Sequence, residues 1–279
     1  AYARISEGDY IRGIVTAPSN KAVYEILKDV AEVKEEFGDS KDGLFDSLRL
    51  VRATGKATSD FDQVDGVDYL NYGQDDEGVD DLADALDRER GLGAFMSGDP
   101  EPPESVLIFA TPSGSYGLMN NIARNWGHQN ATEIIDKMQS YFNFLAIDEA
   151  SMMPLSQFIL SGAFVSENSH ILVGGDHRQM PPVRKHDWEE EDRRTVEEIA
   201  PHLSTLDFFR FLKGELEVEH ADPPMASELP MDRLELTYRC HKRVADMLRR
   251  WMYERYDEIE YRSKEEEVLN SPVSEIDAI

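Results

Sequence analysis

The chain has 279 residues, of which 41% are hydrophobic, and carries a net charge of -27 from 56 acidic and 29 basic side chains. This length and apolar content allow one large domain, or one domain and part of a second, around a real core. They argue against a helical membrane protein, because no apolar run approaches the roughly 18–20 residues of a membrane helix, and the first residues do not read as a signal peptide. Cys240 is the only cysteine. No internal disulfide or cysteine-based zinc site follows from it, as expected of a cytoplasmic protein. The acidity runs against a basic nucleic-acid-binding face. In molar salt, however, the Debye length falls to about 3 Å and local contacts decide binding. A dense carboxylate surface in which Arg outnumbers Lys therefore reads as adaptation to a salt-loving cytoplasm. An acidic surface that recruits a basic partner is the alternative.

In chain order, residues 11–16 (IRGIVT) form a β-rich run, followed by the turn Ala17-Pro18-Ser19. Ser19 or Asn20 caps a helix over 21–34 with Val23, Ile26, Leu27 and Val30 on one face. Residues 48–52 (LRLVR) read as a strand. From Thr54 to Pro103 the texture is acidic and glycine-rich, with a short amphipathic helix over 80–90 and a Pro-rich linker over 99–103, and a surface insertion or accessory subdomain is expected over about 35–104. Three continuous apolar runs then read as buried parallel strands: 105–110 (SVLIFA), 142–147 (FNFLAI) and 170–174 (HILVG). Helical sequence begins near Pro154, and the charge-dense stretch 189–198 reads as a spacer. A late strand over 234–238 (LELTY) precedes a helix over 241–256, and the residues from Ser263 read as an unfinished domain. Strands alternating with helices predict an α/β fold with an open, mostly parallel sheet flanked by helices. Ligands in such sheets sit at the carboxyl ends of the strands.

The sharpest chemical signal is Asp148-Glu149 at the end of an apolar strand, in the run LAIDEAS. Nucleotide hydrolysis needs such a pair. One carboxylate holds Mg²⁺, usually through water, and the other orients and deprotonates the attacking water. A second strand ends in Gly175-Asp176-His177-Arg178-Gln179-Met180-Pro181-Pro182. In this order and at this separation, DEAS and GDxxQxPP resemble motifs II and III of superfamily 1 helicases. Downstream, Thr237-Tyr238-Arg239-Cys240-His241 resembles motif IV in the YRxH form of the 1B group that includes the nonsense-mediated-decay helicase. Upstream, residues 15–23 (VTAPSNKAV) resemble motif Ia and residues 109–114 (FATPSG) resemble motif Ic.

The resemblance implies a RecA-like P-loop NTPase domain over 1–225 and the start of a second RecA-like domain over 226–279, in an ATP- and Mg²⁺-dependent translocase on single-stranded DNA or RNA. It implies Asp148 as the Mg²⁺ carboxylate, Glu149 as the base and Gln179 as the sensor of the γ-phosphate or attacking water. Arg239 would be an arginine finger, and Tyr238 a residue packed near the nucleotide. Thr16, Pro18, Ser19, Asn20, Thr111, Pro112 and Ser113 would meet the phosphates of a strand, and Pro181 and Pro182 a base. Read without the family, Ser19, Asn20, Thr111 and Ser113 are also ordinary helix caps.

One part of the pattern is missing. The family places GxxxxGK[ST], the loop that cradles the β- and γ-phosphates, before motif Ia, and nothing in residues 1–12 fits it. The run Ala53-Thr54-Gly55-Lys56-Ala57 is a decoy: Leu50 stands where the first glycine belongs and Ala57 where the metal-binding hydroxyl belongs. Motifs V and VI are missing as well, and both ends read as cut. The chain alone is therefore expected to hydrolyse ATP negligibly. The alternative is a degenerate, non-hydrolysing nucleic-acid-binding module.

Overall fold

The computed structural model describes residues 10–38, 48–55, 63–87, 105–125, 142–182, 203–216 and 229–265, with isolated positions between 132 and 139. The spacer at 189–198 and the linker at 99–103 lie outside the described residues. The chain divides into two compact units, Ala1–Ala226 and Ser227–Ile279.

The first unit is built on six strands: β1 (Arg12–Thr16), β2 (Leu48–Thr54), β3 (Val67–Asn71), β4 (Ser105–Phe109), β5 (Phe142–Ile147) and β6 (Val165–Val173). They lie in the order β3-β2-β4-β1-β5-β6, and every pairing is parallel. Among the described residues its helices are α1 (Asn20–Gly38), α2 (Asp76–Asp87), α3 (Pro112–Asn125), α4 (Leu155–Gly162) and α5 (Thr205–Lys213). The chain thus has the expected α/β architecture.

Strand periodicity explains how one sheet feeds two cores. Successive side chains point to opposite faces. On β2, Leu48 and Leu50 enter one core while Val51 and Ala53 enter the other. On β4, Leu107 and Phe109 face one way and Val106 and Ile108 the other. Helix α1 covers the first face with Val23, Leu27 and Ala31, spaced at one helical stripe. Helices α2 and α3 cover the second with Val79, Leu82, Leu86, Leu118, Met119 and Ile122.

Two sequence expectations change. Residues 67–87, read as part of an acidic insertion, supply β3 to the main sheet and α2 to its core. The acidic residues of α2 mask its buried stripe in any measure of average composition. The run HILVG was expected to be a buried strand, but β6 is an edge strand with Ile171 46% and Leu172 62% exposed. A continuous apolar run looks the same whether a strand has one neighbour or two.

The second unit is a βαβ arrangement. β7 (Leu236–His241) pairs in parallel with β8 (Arg262–Glu265). Between them run α6 (Lys242–Leu248), a π-helical turn (Arg249–Tyr253) and α7 (Glu254–Asp257). The single helix expected over 241–256 is therefore interrupted by a π turn. No helix among the described residues is long and apolar enough to cross a membrane.

Candidate functional site

Because all six strands are parallel, their carboxyl ends share one edge of the sheet. The loops after β4, β1, β5 and β6 therefore stand side by side, about 4.8 Å apart at the strand ends.

The loop after β5 is Asp148-Glu149-Ala150-Ser151. The backbone N–H of Asp148 donates to the Thr16 carbonyl of β1 at 3.0 Å. On the other side, Gly174 N–H donates to Ile147 O at 2.7 Å and Ala150 N–H donates to Gly174 O at 2.9 Å. The carboxylate turn is thus clamped between the ends of β1 and β6. Asp148 is exposed and Glu149 half-buried. Glu149 has φ of 52°, a left-handed conformation that costs a residue with a Cβ roughly 1–2 kcal/mol. Replacing Glu149 with Gly and with Ala separates this strain from the loss of the carboxylate, since only Gly relieves it. We expect Glu149→Gly to be more stable than Glu149→Ala by about 1 kcal/mol, read as the difference in urea midpoint.

Beyond β6, Asp176 accepts from Arg178 N–H through its carboxylate at 2.9 Å, and its carbonyl accepts from Gln179 N–H at 3.0 Å. This tight turn presents Gln179 and Pro181 at the surface, while Pro182 is buried. Gln179 therefore lies on the loop that follows the strand neighbouring Asp148-Glu149.

The loops after β1 and β4 open helices α1 and α3. Ser19 Oγ accepts from Ala22 N–H at 3.1 Å, and Thr111 Oγ1 accepts from Gly114 N–H at 3.2 Å. Both are N-caps. Ser19, Asn20 and Ser113 are exposed and Pro18 and Thr111 half-exposed, whereas Pro112 is buried at the first helical position. Thr16 is 0% exposed and its hydroxyl has no hydrogen-bond partner. A strand contact from the Thr16 side chain, expected from sequence, has no surface to use: its place on the last turn of a central strand puts it beneath the loops.

Sequence reasoning missed Arg52. It lies at the end of β2, is 2% exposed, and donates to Ala53 O, Phe109 O and Asn20 Oδ1, each at 2.8 Å. Burial pushes its pKa down, partly offset by Tyr69 and Tyr72. The sequence signal was available: an arginine inside an apolar strand run needs acceptors.

In the second unit, Tyr238 is exposed, with Lys264 Nζ 5.4 Å from its ring centroid. His241 Nδ1 accepts from Arg243 N–H at 3.2 Å. Arg239 lies on β7, and its side chain is outside the described residues.

The fit to Mg²⁺ is that of a water-mediated ion. Among the described residues no group of three or more His, Cys, Asp or Glu could hold a metal. Magnesium commonly keeps several waters and takes one or two carboxylates plus phosphate, and Asp148 offers one. A Cβ on Gly174 would stand 3.4 Å from Asp148 Oδ1, so glycine there keeps space open over that carboxylate. For the phosphates of ATP the fit is lacking, since the 279 residues contain no GxxxxGK[ST] loop.

No protein-family model matches this chain, and no curated protein matches it.

Proposed function

We propose that this chain is part of an ATP-driven, superfamily 1B-type helicase motor with RecA-like domains, and that it grips single-stranded nucleic acid along the carboxyl edge of its sheet. One observation carries the reading. The strands that bear Asp148-Glu149 and Gly175–Gln179 are neighbours, and their loops are hydrogen-bonded to each other. A hydrolysis motif and a sensing motif that act on one nucleotide need that adjacency.

In this reading Asp148 would hold Mg²⁺ through water, Glu149 would act as the base toward the attacking water, and Gln179 would sense the γ-phosphate. By the same resemblance Arg239 would serve as an arginine finger and Tyr238 as a residue for a nucleotide. The adjacent loops at Pro18–Asn20 and Thr111–Ser113 take the phosphates of the strand, and Pro181 supports a base. Asp148 N–H donates to Thr16 O where the loop after β5 meets the end of β1, so the two pairs of loops adjoin at paired strands. Among the described residues nothing pairs with the outer edge of β6. One more parallel strand there would deliver a phosphate-binding loop beside Gly174 and Asp148, which is what the reading requires of the intact motor.

Two measurements test it. Labelled oligo-dT and oligo-U should bind the 279-residue chain in molar salt, where the net charge of -27 is screened and local contacts decide binding; binding to neither there would sink the proposal. Separately, nucleic-acid-stimulated ATP hydrolysis by this chain should be negligible, because the phosphates have no cradle. Ordinary turnover that disappears in Glu149→Gln would overturn that expectation.

A further inference from the structure

The interaction between Arg52 and Asn20 carries information beyond the motifs. A guanidinium has five N–H donors and no acceptor. Arg52 Nη2 lies 2.8 Å from the Asn20 side chain. Chemistry therefore decides the orientation of the Asn20 amide: its oxygen faces Arg52, and its NH₂ faces the other way. Asn20 is exposed at the first residue of α1, and its Nδ2 has no hydrogen-bond partner among the described residues. The second guanidinium nitrogen, Nη1, is held by Ala53 O and Phe109 O at the ends of β2 and β4. The fork is thus anchored to two strands while it sets a side chain on a third loop. All of its acceptors are neutral. Among the described residues no carboxylate pairs with the guanidinium, in a chain with 56 acidic residues.

We propose that Arg52 is a positioning residue for strand binding, which locks the Asn20 amide so that Nδ2 is the donor offered to a phosphate of the bound strand. The inference rests on the strand-binding reading above and deepens it. Arg52 itself is buried and touches no ligand. Its effect is transmitted through Asn20 alone. Without it the amide turns freely and presents its oxygen, which repels a phosphate, as readily as its nitrogen.

The test is anisotropy with labelled oligo-dT and oligo-U on the 279-residue chain, with Asn20→Ala, Asn20→Asp, Arg52→Met and the Arg52→Met/Asn20→Ala double variant. Asn20→Ala should weaken binding about tenfold, the scale of one hydrogen bond to a charged group. Asn20→Asp keeps an oxygen for Arg52 and loses the donor; it should bind more weakly than Asn20→Ala while melting no lower than wild type. Arg52→Met should weaken binding, and the double variant should be no weaker than Asn20→Ala alone. The slope of log affinity against log salt should be unchanged in Arg52→Met, because the arginine meets no phosphate.

Four outcomes overturn the proposal. Three concern Arg52→Met: binding equal to wild type, a loss that adds in full to that of Asn20→Ala, or a salt slope smaller by about 0.7, the value for one lost phosphate contact on a single strand. Asn20→Asp binding as well as wild type is the fourth, and it decides the matter even if Arg52→Met does not fold. A wild-type chain that binds neither oligonucleotide removes the strand-binding reading and this inference together, whereas a binding wild type with indifferent variants removes the inference alone.

Discussion

Replacing Phe109 with Ala should destabilise the first unit by about 3–5 kcal/mol, the range for truncating a fully buried aromatic. Phe109 ends β4, has no exposed surface, and packs in the core between the sheet and α1 with Leu27, Leu48, Leu50 and Leu107. The loss removes both transfer energy and packing, since neighbours on a parallel sheet cannot collapse into the space without shifting a strand. Against a typical total of about 5–15 kcal/mol it would bring the domain near its unfolding threshold. The control is Leu172→Ala on β6. That side chain is equally apolar but largely exposed, and its loss should stay within about 0.5 kcal/mol. Urea unfolding followed by far-ultraviolet circular dichroism distinguishes the two. Equal losses would mean that β6 is covered in solution.

Gly175→Ala should cost about 1–3 kcal/mol, the usual penalty for overpacking. A Cβ built on Gly175 stands 3.0 Å from both Ala150 N and Ser151 N. Both are backbone atoms, so no side chain can swing aside. The turn that carries Asp148 and Glu149 must move instead, and it has little freedom to do so. It is clamped to β1 and β6, Glu149 is already left-handed, and the buried Ser151 hydroxyl has no partner. Gly162→Ala is the control: nothing lies within 4 Å of a Cβ there, and Ala near a helix end should be neutral or slightly stabilising. Equal midpoints for the two variants would show that the carboxylate turn is not packed as described. If the motor reading holds, the displaced turn should also reduce hydrolysis in any longer form of the protein that supplies the phosphate loop, by more than the stability loss accounts for.

The identity of Gly175 illustrates how motif and packing meet. In the sequence it is the first residue of GDxxQxPP. In the fold it is the only side-chain type that lets the loop after β6 lie against the loop after β5. The order of apolar residues was enough to locate β1, β2, β4 and β5 and the helix that follows β1, because the strands are short β-rich or apolar runs and the helix carries an apolar stripe. It also put Asp148-Glu149 at a strand's carboxyl end, where ligands of parallel sheets bind.

Other features needed neighbours. The place of β6 at the edge, the incorporation of residues 67–87 into the main sheet, and the burial of Thr16 all depend on which strands lie beside which, and a linear pattern carries no record of that. The same holds for Arg52. As a residue type in a run of leucine and valine it signals only that acceptors must exist. Its acceptors are a carbonyl 57 positions later and an amide 32 positions earlier, brought within hydrogen-bond reach by parallel pairing of β2 with β4 and of β4 with β1. The sequence by itself determined the α/β class, the motifs and their order. The tertiary structure alone decided that the loops after β1, β4, β5 and β6 stand side by side in one sheet, because side-by-side order in a parallel sheet is set by crossover packing between distant segments rather than by any local preference of the chain.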